Sequence, residues 1–374
     1  MGLGLLCAVL TVALDGTPLL GVRTGVARLV DGLIRALSAH GGLDLTAYAI
    51  TLRGRHHLDD ALPAGVRAGT APIPARAAHT LWRHVSHPRI ERWTGPVDVV
   101  HATNIVAPPV RQPTVVTVHD LTALRFPEMC TPDTLRYPDA IRRALDDGAR
   151  VHTTTSFVAH EVSDEFGVPL DEIVRIPPGV DAPTAGDPTA GHALARTTRY
   201  LLALGTVEPR KNLPVLVQAF DELAGGDSDV QLVIAGPDGW GVEALDQAIA
   251  GARARARISR LGWVSSSQRA DLLAGATAFV YPSLYEGFGF PPLEAMQHGI
   301  PVVAGDAGAL PEVLGDAAVV TDPQDVAGLA RALHETIEDT ALRERLVAAG
   351  HERVARYTWD AAAVAFAQLY EEMA

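Results

Sequence analysis

Two glutamates, Glu286 and Glu294, bracket a Gly-Phe-Gly loop and a proline pair in the segment E-G-F-G-F-P-P-L-E. The apolar run 278–281 before them predicts a strand, and a proline at 291 or 292 suits the first turn of a helix. The glycines allow a ligand close to the backbone, and the unpaired N–H groups of a helix start favour a phosphate. We therefore expect Glu294 in the first helical turn and Glu286 on the loop, facing the sugar of a nucleotide sugar. A plain strand-to-helix loop with a capping acid is the alternative.

Four further short motifs accompany this segment along the chain. They are T-G-V-A-R at 24–28, V-H-D-L at 118–121, P-P-G-V-D at 177–181 and G-T-V-E-P-R-K-N at 205–212. In this order, and with the E-x7-E segment, the sequence resembles the family-4 retaining glycosyltransferases of GT-B type over nearly its whole length. The resemblance implies an α/β fold with two Rossmann-like parallel-sheet domains facing a cleft. It also implies transfer of a hexose from a nucleotide-diphosphate sugar to an acceptor hydroxyl.

The resemblance assigns catalytic and donor-binding roles to individual positions. Arg210 and Lys211 would stabilise the negative charge on the departing diphosphate, and Glu286 would hold sugar hydroxyls. Glu294 would bind the ribose hydroxyls, and His119 would lie beside the donor sugar and the leaving oxygen. The remaining donor-binding positions are Gly25, Gly205, Thr206, Val264, Gly287, Phe288, Gly289 and Phe290. The family commonly has an arginine directly after the leading glycine of the basic loop. Thr206 stands there in this chain, so the adjacent pair Arg210-Lys211 must serve.

Residue chemistry leaves the mechanism open at His119. At a predicted strand end beside Asp120 it is a candidate general base, and equally a structural histidine bonded to a backbone carbonyl. The retaining mechanism implied by the resemblance needs no protein nucleophile, because the leaving phosphate accepts the proton of the attacking hydroxyl. If the anomeric centre inverts, His119 or Asp120 must deprotonate the acceptor.

Two other functions fit the same architecture. One is a catalytically silent homologue that binds a sugar nucleotide or a partner enzyme as a regulatory subunit. The other is a phosphorylase, which needs a lysine for pyridoxal phosphate. Lys211 is the only lysine in the chain, so it cannot serve both that cofactor and a donor phosphate.

Composition bounds the partners and the cofactors. The chain has 374 residues, enough for two domains, and its 31 basic and 44 acidic residues give a net charge of −13. This charge argues against nucleic-acid binding and requires any phosphate site to be basic locally. Peripheral contact with a membrane stays open. Two cysteines are too few for a thiolate metal site and fit a reducing cytosol, and His160-Glu161 lacks the second histidine of a zinc helix. We therefore expect no metal, no cofactor beyond the nucleotide-sugar co-substrate, and a cytoplasmic location.

The N-terminal apolar run 3–14 is predicted to be a buried strand. No basic segment precedes it and no cleavage pattern follows, so a signal peptide does not fit, and it is too short to span a bilayer. Gly2-x-Gly4 precedes the strand instead of following it, which does not fit a dinucleotide fingerprint.

Strands alternating with helices predict parallel sheets in both halves. Thr24 is the expected N-cap of the first helix. Further strands are expected at 45–52, 97–101, 115–119, 151–155, 200–204, 230–235, 258–264, 278–281, 300–304 and 318–320. The predicted domains are an acceptor-side domain 1–182, a linker 183–198 and a donor-binding domain 199–357. By resemblance, a helix within 358–374 packs back on the first domain.

The resemblance also ranks the donors. The E-P-R-K-N motif, the H-D-L run and the segment R-F-P-E at 125–128 are most similar to bacterial mannosyltransferase-like enzymes of polysaccharide assembly. GDP-mannose is therefore the preferred donor, with UDP-glucose, UDP-N-acetylglucosamine and TDP-linked deoxysugars as alternatives. The acceptor is expected to be a glycan, a lipid-linked molecule or a small molecule.

Overall fold

A computed structural model describes residues 9–21, 24–52, 54–82, 85–225 and 229–374. The expected first strand lies partly outside this range, and the Gly2-x-Gly4 motif lies wholly outside it. Residues up to Asp181 together with Thr358–Ala374 form one compact unit, here the first unit, and Ala182–Tyr357 form the second unit. Each unit is built on one parallel sheet.

The first unit has a seven-stranded sheet in the order β3-β2-β1-β4-β5-β6-β7. Its strands are β1 Leu10–Asp15, β2 Leu43–Ile50, β3 Arg67–Ala71, β4 Val99–Ala102, β5 Thr114–Val118, β6 Arg150–Thr153 and β7 Val174–Arg175. The central strands β4 and β5 are fully buried, as expected when helices cover both faces of a parallel sheet. Strands β3 and β7 were not expected from the sequence, because the first lacks an apolar run and the second has two residues.

Helices of the first unit lie between these strands. They are α1 Gly25–His40, α2 Leu58–Ala61, α3 Ala75–Trp82, α4 Glu91–Thr94, α5 Thr122–Arg125, α6 Tyr137–Asp146 and α7 Ser156–Phe166. The hydroxyl of Thr24 accepts a hydrogen bond from the amide of Ala27 at 3.3 Å and caps α1, which confirms that expectation. Leu29, Val30 and Leu33 of α1 are buried in the core.

The second unit has a six-stranded sheet in the order β10-β9-β8-β11-β12-β13, the strand order of a dinucleotide-binding fold. Its strands are β8 Tyr200–Leu204, β9 Gln231–Ala235, β10 Ile258–Gly262, β11 Ala278–Tyr281, β12 Val302–Gly305 and β13 Ala318–Thr321. Its helices are α8 Pro188–Ala195, α9 Leu213–Ala224, α10 Val242–Gly251, α11 Ser266–Gly275, α12 Phe290–Gln297, α13 Leu310–Leu314, α14 Val326–Glu338 and α15 Thr340–Val354. The predicted strands β8 and β11 have the bounds expected from the sequence.

The segment 183–198, expected to be a linker, contains helix α8 and belongs to the second unit. Asp187 caps this helix by accepting from the amide of Thr189 at 2.8 Å, and its own amide donates to Asp271 of α11 at 2.8 Å. His192 contacts the carbonyl of Gly275 at 3.2 Å. The helix shows no hydrophobic period in the sequence because its small residues pack closely on α11 instead of presenting an apolar stripe.

The last helix, α16 Trp359–Met373, belongs to the first unit and packs on α1. The indole of Trp359 lies where a β-carbon on Gly32 of α1 would stand, within 2.0 Å, so only glycine fits there. The indole nitrogen of Trp359 donates to the Asp181 carboxylate at 2.7 Å. The C-terminal helix is therefore tied to α1 and to Asp181 of the first unit.

A directed chain of hydrogen bonds joins α16 to the sheet of the first unit. The carbonyl of Ile176 can only accept, so Nε2 of His152 carries the proton in that 2.9 Å bond. Nδ1 of His152 then accepts from Thr117 at 2.9 Å, Thr117 accepts from Nε2 of His101 at 2.8 Å, and Nδ1 of His101 accepts from the Tyr370 hydroxyl at 2.6 Å. Both imidazoles are neutral in this arrangement. Burial lowers the pKa of His152 to about 4 and that of His101 well below its ordinary value.

Candidate active site

The predicted phosphate loop and the predicted sugar loop meet where the strand order of the second sheet reverses. Strand β8 leads into the loop 205–212 and its neighbour β11 leads into the loop 282–289. Ligands of open α/β sheets bind at this position, beyond the carboxyl ends of the two diverging strands. Side chains from loops about 75 residues apart in sequence thus come together.

At this point Glu286 forms ion pairs with both predicted cations. Its Oε1 lies 2.6 Å from Nζ of Lys211, and its Oε2 lies 2.6 Å from Nη1 of Arg210. Nη2 of Arg210 also contacts Oε1 of Glu208 at 2.7 Å. Nζ of Lys211 donates to the hydroxyl of Tyr281 at 2.6 Å and lies 4.7 Å from the centre of its ring. We call Glu208, Arg210, Lys211, Tyr281 and Glu286 the cation–carboxylate cluster.

The cluster is poorly exposed, which strengthens its electrostatic interactions. The side chains of Arg210, Lys211 and Glu286 are 18%, 13% and 9% exposed. Burial raises the pKa of Glu286, but the charges of Arg210 and Lys211 outweigh it, so the pKa falls to about 2. Burial lowers the pKa of Lys211, and the negative charge of Glu286 opposes that change. The carboxylate is therefore ionised at neutral pH and balances the cations.

The backbone holds both loops in place. A one-turn 3-10 helix, Pro209–Lys211, precedes α9, which begins at Leu213. Asn212 takes a left-handed conformation there, and its side-chain amide donates to the carbonyls of Pro282 and Pro323 at 3.2 and 2.7 Å. The backbone carbonyl of Arg210 accepts from the amide of Leu284 at 2.8 Å. These bonds fix the two loops against each other.

Gly308 lies against the backbone of Glu286. A β-carbon on Gly308 would stand 2.4 Å from the Glu286 carbonyl oxygen, and its φ of +59° is one that glycine adopts easily. The Glu286 carbonyl also accepts from the amide of Ala309 at 2.8 Å. The turn after β12 therefore sets the position of Glu286.

Helix α12 begins earlier than expected, which corrects the placement of Glu294. The helix starts at Phe290, with Gly289 as its N-cap, so the proline pair occupies the second and third positions. Glu294 is the fifth residue and lies beyond the first turn, which contains no acidic residue. Phenylalanine can open a helix here because Gly289, with φ of +109°, turns the chain directly before it.

The carboxylate of Glu294 forms an ion pair with Arg269 of α11. Its Oε2 accepts from Nε of Arg269 at 2.9 Å and from Nη2 of the same guanidinium. The side chain of Glu294 is 8% exposed, and this ion pair balances its charge.

Other predicted donor-binding positions follow the carboxyl ends of strands in the second unit. Gly205 follows β8, and a β-carbon there would lie 3.6 Å from Cε of Lys211. Thr206 follows directly. Val264 stands between β10 and α11. The Phe288 ring packs on Phe290 and Tyr357, with centroids 5.0 and 5.4 Å apart, so its side chain serves the core. Gly287 and the backbone of 288–290 remain the ligand-facing candidates.

Two predicted site residues belong to the first unit. His119 follows β5, and its Nε2 donates to the carbonyl of Thr103 at 2.8 Å, which leaves Nδ1 as the acceptor in the neutral ring. Burial lowers its pKa, although Asp120 and the Thr103 carbonyl oppose this. Asp120 accepts from the amide and hydroxyl of Thr122 at 2.9 and 2.6 Å. Gly25 is the first residue of α1, directly after its N-cap Thr24.

The sequence interpretation did not assign three residues that the structure brings to these contacts. Glu208 lies inside the G-T-V-E-P-R-K-N motif, so its position two residues before Arg210 was an available signal. Tyr281 ends the predicted strand before the sugar loop. Arg269 gave no signal, because only the fold places it against Glu294.

The described part of the chain offers no group of three histidine, cysteine or acidic side chains arranged for a metal ion. Across the same residues, no helix is long and apolar enough to cross a bilayer.

Together, the two parallel sheets and the buried ion pairs at the reversal of strand order define an α/β protein whose second unit has the strand order of a dinucleotide-binding fold. Comparison with known proteins then identifies the family. The sequence profile described as Glycosyltransferase Family 4 matches residues 23–183, and the profile described as Glycosyl transferases group 1 matches residues 189–353. The chain belongs to the family-4 glycosyltransferases of GT-B fold.

Curated relatives and solved structures agree with this membership. The chain is 32% identical over 286 residues to the O-antigen chain mannosyltransferase B of Escherichia coli, covering 73% of this chain and 75% of the relative. It is 30% identical over 336 residues to a phosphatidyl-myo-inositol mannosyltransferase of Mycobacterium tuberculosis, covering 85% of each. The fold matches sucrose-phosphate synthase of Thermosynechococcus elongatus with a TM-score of 0.75 and 20% identity, covering 97% of this chain and 98% of the other.

Proposed function

We propose that this glycosyltransferase moves mannose from GDP-mannose to a hydroxyl group of a glycan, a lipid-linked molecule or a small molecule, with retention at the anomeric carbon. The observation that carries the proposal is the cation–carboxylate cluster at the reversal of strand order in the second sheet. The names of the two mannosyltransferase relatives support mannose as the sugar. Neither name states the nucleotide, so GDP rests on the sequence resemblance.

The cluster fits the charge changes of the reaction. Cleavage of the anomeric bond leaves negative charge on a diphosphate, and Arg210 and Lys211 can stabilise this charge because they are held at a poorly exposed strand end. Glu286, ionised at neutral pH, can accept hydrogen bonds from sugar hydroxyls. In a retaining reaction the acceptor attacks the face from which the phosphate leaves, and the phosphate takes the acceptor proton. No protein nucleophile and no metal ion are then required.

His119 suits an orienting role in this reaction. Its Nε2 proton is engaged by the Thr103 carbonyl, and its neutral Nδ1 can accept a hydrogen bond from a donor hydroxyl. If the reaction inverts instead, the same Nδ1 is the atom that takes the acceptor proton. NMR of the product's anomeric configuration distinguishes the two mechanisms.

Binding is tested by thermal shift with GDP-mannose, UDP-glucose, UDP-N-acetylglucosamine and a TDP-linked deoxysugar. A donor at about a hundred times its Kd should stabilise the protein by ~2.7 kcal/mol if it binds only the folded state. We expect the largest shift with GDP-mannose. A larger shift with another donor would replace GDP-mannose in the proposal.

Catalysis is tested by release of the nucleoside diphosphate without acceptor, with and without EDTA. We expect slow donor hydrolysis in the wild type, no effect of EDTA, and loss of activity in Lys211→Ala. Arg260→Ala, which removes a cation paired with Asp238 and Asp246 of the same unit, should keep the activity. Donor binding without any turnover would favour the catalytically silent homologue.

A further inference from the structure

Arg269 and Glu294 form an ion pair outside the cation–carboxylate cluster. Two nitrogens of the Arg269 guanidinium, Nε and Nη2, donate to the same oxygen, Oε2 of Glu294. The side chains are 27% and 8% exposed. A carboxylate buried to this degree without a partner would be strongly destabilising, so Arg269 keeps Glu294 both folded inward and charged.

The pair connects two segments that contain or adjoin predicted donor-binding positions. Arg269 is the fourth residue of α11, which begins just after Val264, and Glu294 is on α12 after the sugar loop. The start of α11 is fixed by a capping box. Ser265 accepts from the amide of Gln268 at 3.2 Å, and Gln268 accepts from the amide of Ser265 at 2.9 Å. The backbone that carries Arg269 is therefore rigid.

The two hydrogen bonds from the Arg269 guanidinium orient the Glu294 carboxylate. A glutamate side chain has several rotamers, and two donors on one oxygen restrict the carboxylate to one direction. A carboxylate without that restraint would lose alignment with a pair of adjacent hydroxyls. Arg269 lies on another helix, so it acts on the ligand through Glu294.

We propose that Arg269 is a positioning residue that fixes the Glu294 carboxylate to accept hydrogen bonds from ribose, so that the site selects ribonucleotide donors over 2′-deoxyribonucleotide donors. This inference rests on the proposed function and on the ribose-binding role that the family resemblance implies for Glu294. A 2′-deoxyribose lacks one of the two adjacent hydroxyls. The carboxylate would then lose one charge-assisted hydrogen bond in a poorly exposed place.

The test measures the Kd values of GDP and dGDP, and of UDP and dUDP, by calorimetry. We expect the wild type to bind at least one ribonucleotide at least tenfold more tightly than its deoxy form, a ratio that corresponds to about 1.4 kcal/mol. Arg269→Met, which keeps the length without the charge, should lower this ratio to about threefold or less. Arg269→Lys should give an intermediate ratio, because it keeps the charge without the fork.

Arg260→Met is the matched control. Arg260 is 22% exposed and is also paired with carboxylates of the second unit, but its partners are Asp238 and Asp246. In Arg260→Met, the ratio of the deoxyribonucleotide Kd to the ribonucleotide Kd should equal that of the wild type. With a ribonucleotide donor, Arg269→Met should raise KM more than it lowers kcat. A purely structural role of Arg269 would change neither the ratio of Kd values nor the relative size of the effects on KM and kcat.

Three results would overturn the inference. The first is an unchanged ratio in both Arg269 variants, with Arg269→Lys decisive if Arg269→Met does not fold. The second is a wild type that binds ribo and deoxy forms equally while Lys211→Ala abolishes binding, which leaves the proposed function intact. The third is a wild type that binds no nucleoside diphosphate, which overturns the proposed function as well.

Discussion

Replacing Glu286 with glutamine is expected to have opposite effects on folding and on nucleotide binding. In the free protein the ordinary carboxyl pKa of 4.5 falls to about 2, mainly because Arg210 and Lys211 outweigh the effect of burial. This gap corresponds to about 3 kcal/mol of stabilisation at neutral pH. Glu286→Gln should therefore lower the free energy of unfolding by an amount of that order. It should also lower the Kd of free GDP or UDP about tenfold or more, because a diphosphate no longer competes with a carboxylate for the two cations.

The sign of the pH dependence follows from the direction of the pKa change. The folded pKa lies below the unfolded one, so the stabilisation is complete above pH 4.5 and is lost as the pH falls from 4.5 towards 2. Urea unfolding of wild type and Glu286→Gln at pH 7 and pH 3 should show a difference that shrinks at the lower pH. Glu161→Gln is a suitable control, because Glu161 is a poorly exposed acid paired with Arg125 in the first unit.

Calorimetry with GDP and UDP measures the second effect. Glu161→Gln should leave both affinities unchanged. The reasoning is refuted if Glu286→Gln folds and binds each nucleoside diphosphate no more tightly than the wild type. Glu286 and the diphosphate would then not share the cations.

Three other measurements test separate parts of the structure. The folded pKa of His152 is about 4 against an ordinary 6.5. Its neutral form therefore contributes about 3 kcal/mol of stability above pH 6.5, and this contribution is lost as the pH falls towards 4. Urea unfolding across this pH range should show a smaller change in the free energy of unfolding for His152→Gln than for the wild type. Tyr370→Phe removes the donor at the start of the same hydrogen-bond chain and should cost about 1–3 kcal/mol in unfolding experiments. Gly308→Ala should displace Glu286 and lower kcat at least tenfold in a donor hydrolysis assay, and retention of wild-type kcat would contradict the close contact.

Much of the fold follows from local sequence signals. The uninterrupted apolar runs of β8 and β11 give their bounds, since buried parallel strands contain few polar residues. Thr24 indicates the start of α1 because its side-chain oxygen caps the helix. By contrast, β3 in R-A-G-T-A has no such signal and forms because its neighbour β2 offers an open edge.

Individual residues of the candidate site could be predicted from the sequence, but the contacts between them could not. Lys211 and Glu286 each occur in a recognisable loop, yet their contact depends on β8 and β11 being neighbours, which is a property of the whole sheet. Helix α8 was missed for a related reason, because its contacts with α11 come from a segment more than 70 residues later. Arg269 shows the same limit most clearly, as nothing near it in sequence indicates a carboxylate partner on another helix.

Under the proposed function, the charge balance of the free cluster predicts how the site distinguishes donor from product. Two cations, Arg210 and Lys211, face two carboxylates, Glu208 and Glu286, so the cluster is neutral before a ligand enters. Glu286 contacts both cations, so a diphosphate that approaches both of them displaces its carboxylate. An intact donor offers sugar hydroxyls to the displaced carboxylate, whereas a free nucleoside diphosphate leaves it without a replacement partner in a poorly exposed place. The same glutamate that helps to hold the donor would thus favour release of the product.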